Sequence, residues 1–155
     1  MKIAPAEKEQ AEQIVELLRY ICEIHGKGRP DIFVPGASKY GAEDVLKLIE
    51  DEKTRLITAT QDGEVLGYLI AKLQDAPSGP HLRRIRTFYI DDLCVKPDRR
   101  GTGVGAALFS EAKRIAEELG CDRIDLNVWA FNEDAIKFYR KMGLTVSRMH
   151  MEMKL

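Results

Sequence analysis

Three glycines at alternate positions, Gly101, Gly103 and Gly105, follow two arginines, Arg99 and Arg100, and no acid interrupts the run. A glycine-rich turn at a helix N-terminus leaves backbone N–H groups free and lets an anion come close. The helix dipole and the arginines favour the same charge. The chemistry this pattern suits is the holding of a pyrophosphate; a tight turn without a ligand is the alternative. A Walker A loop would end in Gly-Lys-Ser/Thr, and none is present. Gly101, Gly103 and Ala106 satisfy G-x-G-x-x-G/A on paper, but a dinucleotide turn follows its strand almost at once, and here Lys96 to Arg100 intervene. Just upstream, the consecutive acids Asp91 and Asp92 break the apolar alternation of Tyr89 to Val95. A β-bulge there would turn one acid away from the regular face of its strand.

The glycine run must be positioned by what flanks it. Thr87 to Val95 (TFYIDDLCV) is β-rich and apolar, which predicts a largely buried strand. Ala106, Phe109, Ala112, Ala116 and Leu119 recur at helical spacing, which predicts an amphipathic helix closed by Gly120. Before this unit, Lys2 to Ala4 suits a short strand, Glu7 to Ile24 a helix ended by His25-Gly26, and Ala42 to Asp51 a second helix. The intervening Gly26 to Tyr40 is a long loop, of the kind that often binds something. Its Ile32, Phe33 and Val34 either anchor it to the core or line an acceptor pocket. Arg55 to Thr60 and Val65 to Leu73 read as strands joined by an Asp62-Gly63 hairpin turn, and Ala76 to Pro80 as a turn. Arg83, Arg84 and Arg86 suit a solvated strand end, with contact to a phosphate or an acidic acceptor as the alternative. After the central unit, Arg123 to Trp129 reads as a strand and Asn132 to Lys141 as a helix capped by Asn132 and closed by Gly143. Leu144 to Arg148 and His150 to Leu155 read as two final strands, with Met149, Met151 and Met153 on one face packed in the core or against a second copy of the chain. The expected fold class is α/β: one domain spanning 1–155, a mixed and mostly antiparallel central sheet with helices on both faces.

Arg100-x-x-Gly103-x-Gly105 after a strand ending in Val95 resembles the acetyl-coenzyme A signature of the GNAT N-acetyltransferase superfamily. The later stretch NVWAFNEDAIKFYRKMGL resembles the closing motif of the same family, with Asn132, Ala135, Phe138, Tyr139 and Gly143 at the family's offsets. The resemblance covers Glu64 to the C-terminus; the earlier residues fit a generic N-terminal region of the family. Within the superfamily, Asp91 to Gly143 is most similar to small-amine and polyamine acetyltransferases. The resemblance implies that the pyrophosphate of acetyl-CoA lies on Arg100, Gly101, Thr102, Gly103, Val104, Gly105 and Ala106. It implies that the pantetheine arm pairs with Leu93, Cys94 and Val95, with Asn132 and Ala135 also near the coenzyme. It further implies a cleft where this strand splays from the next. Asp91 or Asp92 would then act as base, relay through water or recruit a cationic acceptor, unless both are ordinary strand-end charges. The Leu93 N–H would polarise the thioester carbonyl, and Tyr139 would protonate the departing thiolate. Trp129 and Phe131 would edge the cleft, against the acceptor or the core. The expected reaction is direct acetyl transfer to a primary amine in a ternary complex; a protein lysine or N-terminal acetyltransferase, or a non-catalytic acyl-CoA-binding module, is the alternative.

Composition adds limits. The chain has 155 residues, 45% hydrophobic and 32% charged, with a net charge of −1. Nothing there argues for bulk nucleic-acid or anionic-membrane binding. No apolar run approaches a membrane span, and the charged N-terminus is unlike a signal peptide. Cys22, Cys94 and Cys121 and the three histidines are scattered without metal-ligand spacing. No metal and a reduced, cytoplasmic setting are the expectations.

Overall fold

The computed structural model describes residues 1–75 and 79–155. Among them, one five-stranded sheet has the order β1 (Lys2–Pro5), β2 (Thr54–Gln61), β3 (Glu64–Asp75), β4 (Arg86–Val95) and β5 (Arg123–Leu126). β1 to β4 pair antiparallel with one another in that order, and β5 pairs parallel with β4. A parallel pair needs a crossover, and α3 (Val104–Glu118) supplies it. Two helices, α1 (Ala11–Gly28) and α2 (Ala42–Glu50), cover one face of the sheet, and α3 and α4 (Glu133–Lys141) cover the other.

Each face has its own core. Ile14, Leu18, Ile21 and Val45 pack on Val65, Tyr68 and Ile70. Val104, Leu108, Phe109 and Ala112 pack on Leu66, Leu69, Phe88 and Ile90. A central strand covered on both faces must be apolar on both, and β3 is buried without a break from Val65 to Ala71. The mixed α/β sheet layered between helices is as the sequence predicts. Of the expected Ala76–Pro80 turn, residues 76–78 lie outside the described residues. Arg83, Arg84 and Arg86 are exposed, and Arg86 donates to the Leu119 carbonyl at 3.0 Å. No described helix is long and apolar enough to cross a membrane.

Three boundaries differ from expectation. The first helix runs on through His25-Gly26 to Gly28, where the Arg29 N–H caps it on the His25 carbonyl at 2.8 Å. The strand expected to reach Trp129 stops at Leu126. The two final strands do not form: after Gly143 the chain has no regular structure, and Val146, Met149, Met151 and Met153 are exposed. Alternation assigns side chains to two faces but does not create a partner. The tail has none among the described residues, and its Glu152 instead pairs with Arg29 at 2.6 Å.

The crossover helix depends on close packing. Leu108 is fully buried against the sheet. Leu108→Ala is expected to lower stability by about 2–5 kcal/mol, the usual effect of a cavity in a packed core. Urea melts of parent and variant check this.

Candidate active site

The two sides of β4 are unequal. Toward β3 it is paired from Arg86 to Val95, whereas toward β5 pairing covers only Thr87–Ile90 with Arg123–Leu126. Beyond Ile90 the strands part and a cleft of about 460 Å³ opens. Asp91, Asp92 and Leu93 form its floor. Asn127 to Trp129, Asn132, Ala135 and Tyr139 form one wall, and Cys22, His25, Phe33, Val34 and Lys39 the other.

A bulge decides which acid does what. Ile70 pairs with Asp92 and Ala71 with Ile90, so Asp91 is the extra residue. The insertion changes the parity of the strand. Before it, Phe88 and Ile90 face α3; after it, Leu93 and Val95 take that face. Asp92 thereby joins Cys94 and Tyr68 on the α1 side.

Asp91 is fully engaged. The Tyr40 hydroxyl donates to its Oδ2 at 2.8 Å, and Lys39 Nζ and Lys72 Nζ lie 2.9 Å and 3.5 Å from the same oxygen. Burial pushes its carboxyl up, but the hydrogen bonds from Lys39 and Tyr40 and the two lysine charges outweigh it, so Asp91 stays below the usual carboxylate range. Lys39 and Tyr40 belong to the segment between α1 and α2, so this cluster ties that segment to β4.

Asp92 lies deeper. Burial pushes its carboxyl up to about 6, the nearby Asp91 charge adds to this, and Lys39, the Tyr68 hydroxyl and the Leu93 N–H oppose it. The Tyr68 hydroxyl is buried and has no hydrogen bond of normal geometry among the described residues. On the opposite wall, burial raises the Tyr139 phenol, and Asp92 and Cys94 add to the effect, so it holds its proton at neutral pH. Burial also pushes the Cys94 thiol up to about 12 and raises that of Cys22. The His25 imidazole is lowered by burial and by Lys39, and so is neutral.

The helix that carries Tyr139 is set by its ends. The Asn132 Oδ1 accepts from the Ala135 N–H at 3.2 Å, which caps α4 as its sequence predicts. Ala135 and Tyr139, one turn apart, both line the cleft. Phe138 turns into the α3-side core, edge-on to Phe109 at 6.4 Å.

The glycine turn lies at the start of α3. Gly103 has φ 94°, a conformation that disfavours side chains. The first helical bond runs from the Ala107 N–H to the Gly103 carbonyl at 3.0 Å, so the N–H groups of Val104, Gly105 and Ala106 have no helical partner. No acid lies in this first turn, and a Cβ on Gly103 would meet nothing within 4 Å. Unpaired donors, a positive dipole end and open space fit a pyrophosphate. Thr102 braces the turn by donating to the Arg99 carbonyl at 2.7 Å. The Arg100 guanidinium lies 5.2 Å from the Tyr20 ring, on the α1 side.

Sequence reasoning does not find His25, Lys39, Tyr40, Lys72 or Tyr68. Only the length of the segment before Tyr40 signals any of them, because Tyr40 and Asp91 are 51 positions apart.

Residues 18–144 match the model of the Acetyltransferase (GNAT) family. The chain is similar to the L-amino acid N-acetyltransferase AaaT of Escherichia coli (strain K12), at 30% identity over 81% of this chain and 75% of that protein. It is similar to the thialysine N-epsilon-acetyltransferase of Sus scrofa at 33% identity, over 37% of this chain and about a third (34%) of that relative's length. A mutant of the BH1408 protein from Bacillus halodurans superposes with a TM-score of 0.96 at 28% identity, covering 100% of this chain and 99% of that one. An aminoglycoside N-acetyltransferase, AAC(6')-Iy, in complex with CoA has a TM-score of 0.74 at 14% identity, covering 99% and 98%, a likeness of fold alone.

The raised carboxyl has a consequence for stability. With a folded value of about 6 against ~3.9 unfolded, Asp92 binds its proton more tightly in the folded protein. The resulting stabilisation is fully present below the unfolded value and is lost as pH rises through about 6. Asp92→Asn removes this loss, so its melting temperature relative to the parent should rise between about pH 4.5 and 7.5. A melting-temperature difference that does not change with pH would contradict the assignment.

Proposed function

The chain belongs to the GNAT acetyltransferase family, and from that premise we propose that it transfers the acetyl group of acetyl-CoA directly to a primary amine, with Asp92 as base and Tyr139 as acid. The observation that carries this reading is the pairing across one cleft of a carboxyl pushed up to about 6 and a phenol that keeps its proton. Groups whose surroundings separate their proton affinities in this way suit acid and base roles. The acceptors named for similar proteins, amino acids, thialysine and aminoglycosides, are all amines.

Acetyl-CoA supplies a thioester whose carbonyl carbon accepts the amine nitrogen and whose sulfur leaves as a thiolate. The α3 turn from Arg100 to Ala106 would hold its pyrophosphate, and the unpaired β5-facing side of Leu93, Cys94 and Val95 would take the pantetheine arm as an added strand. Ala135, with its small side chain, leaves room beneath Tyr139. An alkyl ammonium has a pKa near ~10.4 and must lose a proton to react. Asp92 attracts the cation and takes one proton, which frees the nitrogen lone pair to form the C–N bond, and the second proton leaves the nitrogen of the tetrahedral adduct to solvent. Tyr139 gives its proton to the sulfur as the C–S bond breaks, and solvent restores both groups. The Leu93 N–H, which partners the ionised Asp92 carboxyl, is the donor left for the developing negative oxygen once Asp92 has taken its proton. Asp91, shared among two lysines and Tyr40, is left a positioning role. Direct transfer is favoured over a covalent enzyme intermediate because Cys94 and Cys22 both hold their protons.

The ratio of kcat/KM for the parent to that for Asp92→Asn cancels the titration of the amine itself. It is expected to rise with pH around a midpoint of about 6, to a plateau near ~10²-fold. A flat ratio close to unity would remove Asp92 from the chemistry. Tyr139→Phe keeps the ring and its packing, so coenzyme affinity should persist while kcat falls ~10²-fold. A parent-like kcat in a folded variant would make Tyr139 a packing residue. Gly103→Asp adds like charge and a strained side chain to the turn, and calorimetry should show acetyl-CoA affinity falling at least ~10-fold.

A further inference from the structure

Proton transfer accounts for the floor of the cleft but not for its mouth. Above Asp92 the walls become aromatic. Phe33, from the segment between α1 and α2, meets Trp129, from the segment after β5, edge to face at 5.6 Å. His25, neutral through burial, lies 5.2 Å from Phe33. Trp129 is braced by Phe131, stacked at 6.2 Å, and by the Arg29 guanidinium at 5.3 Å. Phe131 is itself seated on Gly28, where a Cβ would come within 2.2 Å of its ring. At the rim, Val34 and Val128 remain 71% and 39% exposed. Apolar groups from three segments converge here, Phe33 and Trp129 are only partly buried by them, and such a surface suits an apolar ligand.

The charges in the cleft are equally selective. Among its described lining residues the carboxylates are Asp91 and Asp92. Lys39 and Lys72 take up Asp91, and Lys39 itself lines the cleft as a cation. One carboxylate is left to meet an ammonium. A polyamine would put its further charges against Lys39 or against apolar walls, where an unpaired ion is strongly disfavoured. A single ammonium attached to a flat apolar body meets Asp92 with one end and rings with the other.

We propose that the acceptor is a monocationic primary amine with an aromatic or bulky apolar body, which lies against Phe33 and Trp129 with its nitrogen at Asp92. This inference rests on the acetyltransferase reading above and narrows its substrate class. Phe33 and Trp129 are then specificity residues, and the rigid bracing by Phe131 and Arg29 prepares the site for a ring.

The test is a comparison of kcat/KM by thiol release, at saturating acetyl-CoA, for 2-phenylethylamine, spermidine and a short lysine peptide. 2-Phenylethylamine is expected to lead the other two by at least ~10-fold. Phe33→Ala and Trp129→Ala should each raise its KM at least ~10-fold while the affinity for acetyl-CoA is kept, and Trp129→Phe should recover most of the loss. Preference for spermidine or the peptide overturns the inference, as does an unchanged KM in folded alanine variants. Should those variants fail to fold, the preference of the parent and the KM of Trp129→Phe and Phe33→Leu decide in the same terms. Acetylation of amines without preference for the aromatic one overturns this inference alone. Binding of acetyl-CoA without acetylation of any of the three amines overturns the inference and counts against the transfer reading as well.

Discussion

Side chains on a strand alternate between two faces, so one inserted residue exchanges the faces of everything that follows. In β4 the inserted residue is Asp91, and the features of the cleft depend on it. Without the bulge, with Asp91 in regular alternation, Asp92 would share the face of Ile90 and point into the apolar core beneath α3. With it, Asp92 lies beside Tyr68 on the α1 side, next to the space that opens where β4 and β5 part. The same insertion keeps Leu93 and Val95 on the α3 side, so the core there remains continuous.

The two acids that flank this shift are treated in opposite ways by their surroundings. Asp91 is surrounded by donors from Lys39, Tyr40 and Lys72, and its charge is spent in fixing the segment between α1 and α2. Asp92 is withdrawn from water without an equivalent cation, and its carboxyl rises to about 6. The arrangement is economical, because the lysine that neutralises Asp91 also adds positive charge to the cleft. On the proposed function, that charge would discourage a polycation while leaving Asp92 to a single ammonium. The segment fixed by Asp91 carries Phe33, so the structural acid and the aromatic wall belong to one unit.

Two helix N-termini complete the site from the other side. The N-terminus of α3 has no side-chain cap and no acid in its first turn, which leaves its donors for a ligand. That of α4 is capped by Asn132, so its donors are partly satisfied and the helix is held in register to present Tyr139. One end is left uncapped, and the other is capped.

Local chemistry makes a large part of this legible in the order of residues. Helical spacing identifies the four helices, the Asp62-Gly63 turn joins β2 to β3, and the glycine run lies at the start of α3 because only a flexible, donor-rich turn suits that sequence. The broken alternation at Asp91-Asp92 locates the bulge, since two polar residues cannot both be accommodated on a buried strand. At the end of the chain the same kind of pattern misleads: Met149, Met151 and Met153 have the period of a strand, but period does not supply the neighbour whose hydrogen bonds make one. Which acid is pinned and which is buried lies beyond the sequence, because Lys39, Tyr40 and Lys72 reach Asp91 from positions far away in the chain. The same holds for the seat of Phe131 on Gly28 and the meeting of Phe33 with Trp129. Residue types and spacing therefore determined the elements and the chemistry available to them. Tertiary packing alone decided which groups are desolvated, which are neutralised and which face one another, because proton affinity and pocket shape depend on neighbours in space.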